Sequence, residues 1–556
     1  MEQLSVNPKL FTTTAPKLVT RFLGKESLFN SKLVSLLILL AGSAAAVLSS
    51  AKWDVSLFAW IAPVCWLAFF RLSQFKRKWL WFFPIILVTN IISSYDVAPF
   101  PPAVLVVLGI LESLKFILIY ISDRWIFQKS KQFVVTLFFP AASVAMEFLN
   151  ANLGGGVWWS VANSQFGFKW LLQLSSVTGL WGISFLVYWF ASIVIWAIRQ
   201  KSADRVCRNG LLIFFGIFAF ILFAGAIRYS IPDKTNRKVR MAGLSVPMMP
   251  YLEAIYRDYF GKRITIDPKT SISSAKLQEI NKGQVPFIEN TDTVLFKNSY
   301  NMLRQINDSL FILSQLAADQ GAKIIIWSEA NAIVFKSEEN RFIERGMKFA
   351  KRNKVYLLMA VAAIHPGKIS FGTKFLENQA VFFGPDGRVL NIFHKNNPVP
   401  MAEASIPGDG SIPVLETPYG RISTSICYDA DFPGQMRQLS KNKSDLLLLP
   451  AGDWYAIAPY HTYIALFRGV ENGASVVRQA SGGLSAASDN KGRITTSMDF
   501  FNSAEKWWVA DVMVGHLSTI YGQIGDAFAY ACIFITVGGL LWGWIKRKEP
   551  VVPINK

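Results

Sequence analysis

The sequence predicts a multi-span α-helical membrane domain joined to an alternating α/β domain, on three observations. Of 556 residues, 52% are hydrophobic and only 17% charged, whereas a soluble chain carries nearer a quarter charged. Apolar runs recur at about 33–50, 55–72, 79–97, 103–121, 133–150, 176–198 and 211–229, with one more at about 524–545; each is near the ~20 residues that carry a helix across a bilayer. Between the seventh run and the eighth, short apolar strands alternate with helical periodicities, and the strands end in polar residues.

Loop charges orient the spans. Lys17, Arg21, Lys25 and Lys32 precede the first run, and Arg71, Lys76, Arg77 and Lys78 separate the second from the third. Arg124, Lys129 and Lys131, then Arg199, Lys201, Arg205 and Arg208, and finally Lys546, Arg547 and Lys548 continue the alternation. The intervening connections carry almost no basic residues, so the positive-inside rule predicts both termini in the cytoplasm and the 230–520 segment outside. The division expected is a cytoplasmic segment 1–32, a seven-helix domain 33–229, an exported domain 230–520, a last span 521–545 and a tail 546–556. Leu36 to Ala46 starts too far along the chain for a cleaved leader, and its loss would break the alternation. The formal charge of +20 follows from this orientation and from anionic inner-leaflet lipid, which argues against a nucleic-acid partner.

The four cysteines point to a thiol, not a disulfide. Cys65 and Cys532 lie in apolar runs and Cys207 in a predicted loop, leaving Cys427 unpartnered in the exported segment. It follows the strand-like Ile422-Ser423-Thr424. Two other isolated ionisable residues also sit at strand ends: Glu329 after the buried run Lys323 to Trp327, and Lys395 after Val389 to Phe393. A base, a fixed cation and a thiol are the parts of an acyl-transfer site. Taken singly, Glu329 and Lys395 read as solvated charges and Cys427 as a small core residue. Strands are further expected at Val239–Ser245, Val355–Ile364, Asn378–Phe383 and Asp445–Pro450, and helices at about 294–320 and 337–353.

At Trp327-Ser328-Glu329-Ala330, Phe393-His394-Lys395 with Glu403, Ile426-Cys427-Tyr428, Gly452-Asp453-Trp454-Tyr455, Arg468 to Gly473 and Ser481-Gly482-Gly483, the chain resembles the nitrilase (carbon-nitrogen hydrolase) superfamily. Seven spans before the domain and one after, with Trp158 and Ser164-Gln165 between spans five and six, resemble its membrane-embedded branch, the apolipoprotein N-acyltransferases. The resemblance implies a nitrilase-like αββα sandwich in which Glu329 is general base, Lys395 the cation at the tetrahedral intermediate and Cys427 the nucleophile. It also implies the Tyr428 N–H as an oxyanion donor and Glu403 as a group orienting Lys395 or the incoming amine, with Asp429, Trp454 and Trp158 nearby. The implied reaction moves an acyl chain from a membrane phospholipid to Cys427, then to the α-amino group of a diacylglyceryl-cysteine lipoprotein, at the outer (periplasmic) face of a bacterial cytoplasmic membrane. It implies no cofactor. His365, His394, His461 and His516 show no paired ligand spacing, so no metal is predicted.

Ser328 stands where the family commonly has proline, and Asp429 where it has glutamate. Shortening that carboxylate moves it by about 1 Å, enough to matter if it positions substrate. The segment 247–291 reads as an insertion, a solvated excursion in preference to a lid. Trp158 and Trp159 read equally as interfacial anchors or as lipid gates. Glu112 and Lys115 read as a mutual pair or as lining an internal cavity. Two other functions remain open at this level: a membrane-anchored amidase using the same triad with water, and a non-catalytic binding module.

Overall fold

The computed structural model describes residues 29 and 31–546, apart from 201–204, 234–236, 273, 291 and 371. Lys17, Arg21, Lys25, Lys201, Arg547 and Lys548 lie outside the described residues.

Eight apolar helices fall on the eight predicted runs. They are α1 (Lys32–Leu48), α2 (Phe58–Leu72), α3 (Trp79–Ser94), α4 (Pro102–Lys129), α5 (Phe138–Asn150), α6 (Trp181–Arg199), α7 (Arg205–Ser230) and, at the far end of the chain, Ala527–Ile545. Among the described residues, five helices are long and apolar enough to cross a membrane: α4, α5 with its flanking turns, α6, α7 and Ala527–Ile545. The first three have 17, 15 and 16 residues, roughly 22 to 26 Å at 1.5 Å per residue, a little under the ~30 Å hydrocarbon layer. Arg71 of α2 is fully buried and donates to both carboxylate oxygens of Asp123 of α4 at 2.7 and 2.8 Å, and to the carbonyl and hydroxyl of Ser192 of α6. That pairing joins three helices and satisfies a charge that would be costly alone. Glu112 and Lys115 do pair, at 2.7 Å, and Lys115 also reaches Asn150 Oδ1 at 2.5 Å. Cys207, expected in a loop, lies in the first turn of α7 and is buried.

The α/β domain is two sheets face to face. The first runs β13 (Trp507–Val514), β1 (Arg237–Leu244), β2 (Ile324–Trp327), β4 (Tyr356–Ile364), β5 (Leu376–Phe383), β6 (Val389–His394), with β3 (Ala332–Phe335) paired to β4. The second runs β12 (Ile494–Asp499), β11 (Leu484–Ser488), β10 (Ser475–Ser481), β9 (Leu446–Gly452), β8 (Gly420–Thr424), β7 (Val414–Thr417). Side-chain alternation explains why the buried strands read as unbroken apolar runs. Ile324 and Ile326 of β2 meet Leu446 and Leu448 of β9 between the sheets. Ile325 and Trp327 face outward against Phe311, Phe342 and Phe349 of α10 (Lys297–Asp319) and α11 (Glu339–Asn353), for which the range α8 (Met249–Phe260) and α9 (Ala275–Asn290) supply the preceding helices.

On the other side, Leu447 and Leu449 face α12 (Tyr460–Asn472), and there the core does not stop. Ile464, Phe467 and Val470 of α12 share one buried cluster with Phe166, Leu171, Trp181 and Leu186 of the membrane domain, and Phe166 stacks on Tyr463 at 4.9 Å. Leu180 N donates to Glu471 at 2.9 Å, and Trp181 Nε1 to Asp526 at 2.8 Å at the start of α13 (Ala527–Ile545). The outer helix layer of the sandwich is therefore also the roof of the membrane helices.

The 247–291 segment is not the solvated excursion expected. Tyr251 and Ile255 of α8 and Phe287 of α9 are buried against Phe296, Leu303 and Phe335. Apolar residues too sparse to show a clean period in sequence find a shared face once the two helices fold onto α10.

Candidate active site

Four strand ends deliver the site. Just beyond β2 stands Glu329, just beyond β6 Lys395, three residues beyond β8 Cys427, and at the end of β9 Gly452. Glu329 is 8% exposed, and both its oxygens are engaged. Oε1 accepts from Lys395 Nζ at 2.8 Å and Asn378 Nδ2 at 2.7 Å, and Oε2 from Gly452 N at 2.8 Å. A Cβ at Gly452 would lie 3.3 Å from Glu329 Oε2, so glycine lets the backbone amide approach this carboxylate.

Lys395 is fully buried. Its ammonium reaches Glu329 and also Glu403 Oε1, at 2.5 Å. Burial pushes the ammonium toward neutrality, but Glu329, Cys427 and Glu403 outweigh it and hold Lys395 well above the ordinary lysine range. Burial pushes the Glu403 carboxyl up, and Lys395 opposes it.

Cys427 opens a short 3-10 turn, Cys427–Asp431, with φ at +46°. That left-handed conformation costs a non-glycine residue about 1–2 kcal/mol, and the turn that follows must offset it. The thiol is 4% exposed and lies 3.6 Å from Gly452 O. Burial, reinforced by Glu329, pushes it well above the ordinary cysteine range, with Lys395 pulling the other way. The resting group is accordingly a neutral thiol that needs a base at the moment of attack. Tyr428 N belongs to the first turn of this helix, where N–H groups have no intrahelical partner.

Asp429, expected either to contact substrate or to support the groups that do, holds the backbone around Cys427. It is fully buried. Oδ1 accepts from Asn397 N at 2.7 Å, and Oδ2 from Ile426 N at 3.1 Å and Ser425 Oγ at 3.2 Å. This carboxylate ties the loop after Lys395 to the turn that carries Cys427. Ser328 likewise packs inward, bonded to Ser245 Oγ at 3.0 Å.

On the other side of the thiol lies a second charged cluster that the sequence reading did not assemble. Asp453 receives Arg478 at both oxygens at 2.8 Å and His461 Nδ1 at 2.8 Å; His461 Nε2 lies 3.1 Å from Asp431 Oδ1. Asp431, His461 and Arg478 are buried, and the side chain of Asp453 has no exposure. Burial alone would raise Asp453, but Arg478 and His461 win and hold its carboxyl well below the usual range. His461, which burial alone would lower, is raised by Asp453 and Asp431. Cys427, Asp453 and His461 place ligand-type atoms within 4.8 Å of one another, a combination the scattered histidines did not predict. Both ring nitrogens and both Asp453 oxygens are already engaged, so the group reads as a charge network, not as an open ligand set. Asp453 at a strand end was the one available signal.

The membrane domain closes over this arrangement. Trp158 sits 5.3 Å from the His461 ring and 5.6 Å from Tyr460, whose hydroxyl donates to Trp158 O at 3.0 Å. Val157 N donates to Asp431 O at 2.9 Å, and a Cβ on Gly156 would lie 2.8 Å from Asp431 Cβ. Trp159 is exposed. Trp454 Nε1 donates to Asp96 O, in the α3–α4 loop, at 2.8 Å.

Comparison with known proteins divides the chain as its fold does. Residues 42–193 match the apolipoprotein N-acyltransferase N-terminal domain, and residues 300–514 match the carbon-nitrogen hydrolase family. Apolipoprotein N-acyltransferase 1 of Treponema denticola is 24% identical over 542 residues, 88% of this chain and 93% of that one. The apolipoprotein N-acyltransferase of Geobacter metallireducens is 25% identical over 425 residues, 71% of each. A crystal structure of an amidase from Nesterenkonia sp. is 16% identical, with a TM-score of 0.34, over 54% of this chain and 98% of that one. With both parts matched in chain order, the chain belongs to the apolipoprotein N-acyltransferases, the membrane-embedded branch of the nitrilase superfamily.

Proposed function

We propose that this protein moves an acyl chain from a membrane phospholipid to Cys427 and from there to the α-amino group of a diacylglyceryl-cysteine lipoprotein. The observation that carries the reading is one fully buried ammonium, Lys395, held between Glu329 and Glu403 beside a thiol on a left-handed turn. In the first step Glu329 takes the Sγ proton as sulfur attacks the ester carbonyl. Lys395 and the Tyr428 N–H stabilise the oxyanion. The C–O bond breaks, the lysophospholipid oxygen takes the proton from Glu329, and a thioester remains. In the second step the amine attacks, Glu329 receives its proton, the C–S bond breaks and the proton returns to sulfur. Glu403 keeps Lys395 charged and in place.

Residues 230–520 form the catalytic domain in this reading, on the outer face of a bacterial cytoplasmic membrane, as the alternating loop charges support. Drawing either lipid substrate out of the bilayer costs about 0.8 kcal/mol per CH₂, a reason for a nucleophile roofed by membrane loops. The test is to incubate the reconstituted protein with acyl-labelled phospholipid. Label on Cys427 that neutral hydroxylamine releases, and that Cys427→Ala lacks, is expected. Transfer of that label to a diacylglyceryl-cysteine peptide faster than to water separates the acyltransferase from an amidase.

A further inference from the structure

The 247–291 segment lies outside both matched family regions, 42–193 and 300–514, so its role must come from where it sits. α8 ends at Gly261 in the left-handed conformation, and residues 261–271 then run as a strap to the membrane domain. Ser271 Oγ donates to Asp96 Oδ1 at 2.5 Å in the α3–α4 loop, the residue whose carbonyl holds Trp454. Lys269 lies 5.3 Å over the Tyr455 ring. The strap thus rests on the loop joining the apolar helices α3 and α4, where the membrane reading puts the lipid headgroups, and touches the loop that follows Gly452.

Its composition suits that level. Lys262, Arg263 and Lys269 are exposed, and among the described residues none of the three enters a salt bridge. Asp267 is the one acid in the strap. Exposed Tyr259, and Tyr95 beside Asp96, flank the cations with aromatic rings, the pairing that settles at a bilayer interface. Ile266 is buried beneath, so the strap is packed from below while its cations stay outside.

We infer that this strap is a lipid-docking element: Lys262, Arg263 and Lys269 bind the phosphates of anionic lipids in the leaflet facing the α/β domain. A lipid surface is favoured over an acidic polypeptide because the cations stand at the ends of membrane helices and among interfacial aromatics. The inference rests on the membrane reading and not on the thioester chemistry.

The experiment is amide exchange of the full chain in nanodiscs of phosphatidylcholine, alone or with an equal part of phosphatidylglycerol. Residues 261–271 are expected to gain protection with phosphatidylglycerol, and inorganic phosphate should not reproduce the gain. Each of Lys262→Gln, Arg263→Gln and Lys269→Gln should reduce it by up to about fivefold, the attraction of one cation to an anionic surface. Unchanged protection in β2 and β9 would certify the fold. Equal protection in both nanodiscs, a full gain in the triple variant, or a gain produced only by an acidic peptide would overturn the inference. Thioester trapping on Cys427 reads the chemistry separately.

Discussion

Two charged clusters flank Cys427, and they are built differently. On one side Lys395 sits between two carboxylates, one of which, Glu403, is 24% exposed at its side chain. On the other, Asp453, His461 and Arg478 are at most 4% exposed, and both Asp453 oxygens and both His461 ring nitrogens are used within the cluster. The first cluster holds one cation between two carboxylates and opens to solvent at Glu403. The second is closed, with Asp453 paired to both Arg478 and His461. In the function proposed, the first cluster is the chemical half of the site, and the second is the strut that holds the Cys427 turn, the 453 loop and Trp158 against one another.

The largest effect tests the chemical half. Glu329→Gln and Lys395→Met should each lower the rate of thioester formation per folded molecule by about a thousandfold or more, a loss on the scale of an oxyanion donor or a general base, with some loss of stability in Lys395→Met, which leaves two carboxylates without their cation. Next, Asp453→Asn should destabilise the α/β domain by about 3–5 kcal/mol, because it strands the buried Arg478, as thermal unfolding would register. The pH dependence follows from the direction of the shift. The Asp453 carboxyl is depressed in the folded state, so its contribution is complete above the ordinary aspartate range and is lost as pH falls through the lower folded value. The acid limb of the stability profile should flatten in Asp453→Asn.

A smaller effect is expected at the thiol itself. Because burial and Glu329 raise Cys427, its alkylation by iodoacetamide should keep accelerating above pH ~8.5, the ordinary cysteine value; a plateau at neutral pH would mean a preformed thiolate. Smallest is Glu403→Gln, which keeps the shape but weakens the hold on Lys395. A loss of about tenfold in rate, with no change in stability, would separate it from Glu329.

Much of this was legible beforehand, for identifiable reasons. Glu329 and Lys395 are visible because each follows a short apolar run, and a buried strand must end somewhere polar; Cys427 is visible as the one cysteine of the 230–520 segment, after a strand-like stretch. The eight helices were visible because lipid demands long apolar runs. What was not legible depends on contacts between distant segments. His461 and Arg478 reach Asp453 from α12 and β10, and nothing in their local sequence marks them as partners. Whether Asp429 would meet substrate or support the site is open in the sequence; its bonds to Asn397 and Ile426 cross a turn whose shape only the fold reveals. The two insertion helices were misread because their apolar residues become a face only against Phe296 and Leu303.

The most direct test of the division between the two clusters is single-turnover thioester formation in Glu329→Gln and His461→Gln, compared side by side per folded molecule. The account predicts a collapse of about a thousandfold for Glu329→Gln and less than about tenfold for His461→Gln, the latter with a lowered melting temperature. A His461→Gln protein that melts normally yet forms thioester as poorly as Glu329→Gln would contradict it, and would move the proton-transfer chemistry to the second cluster.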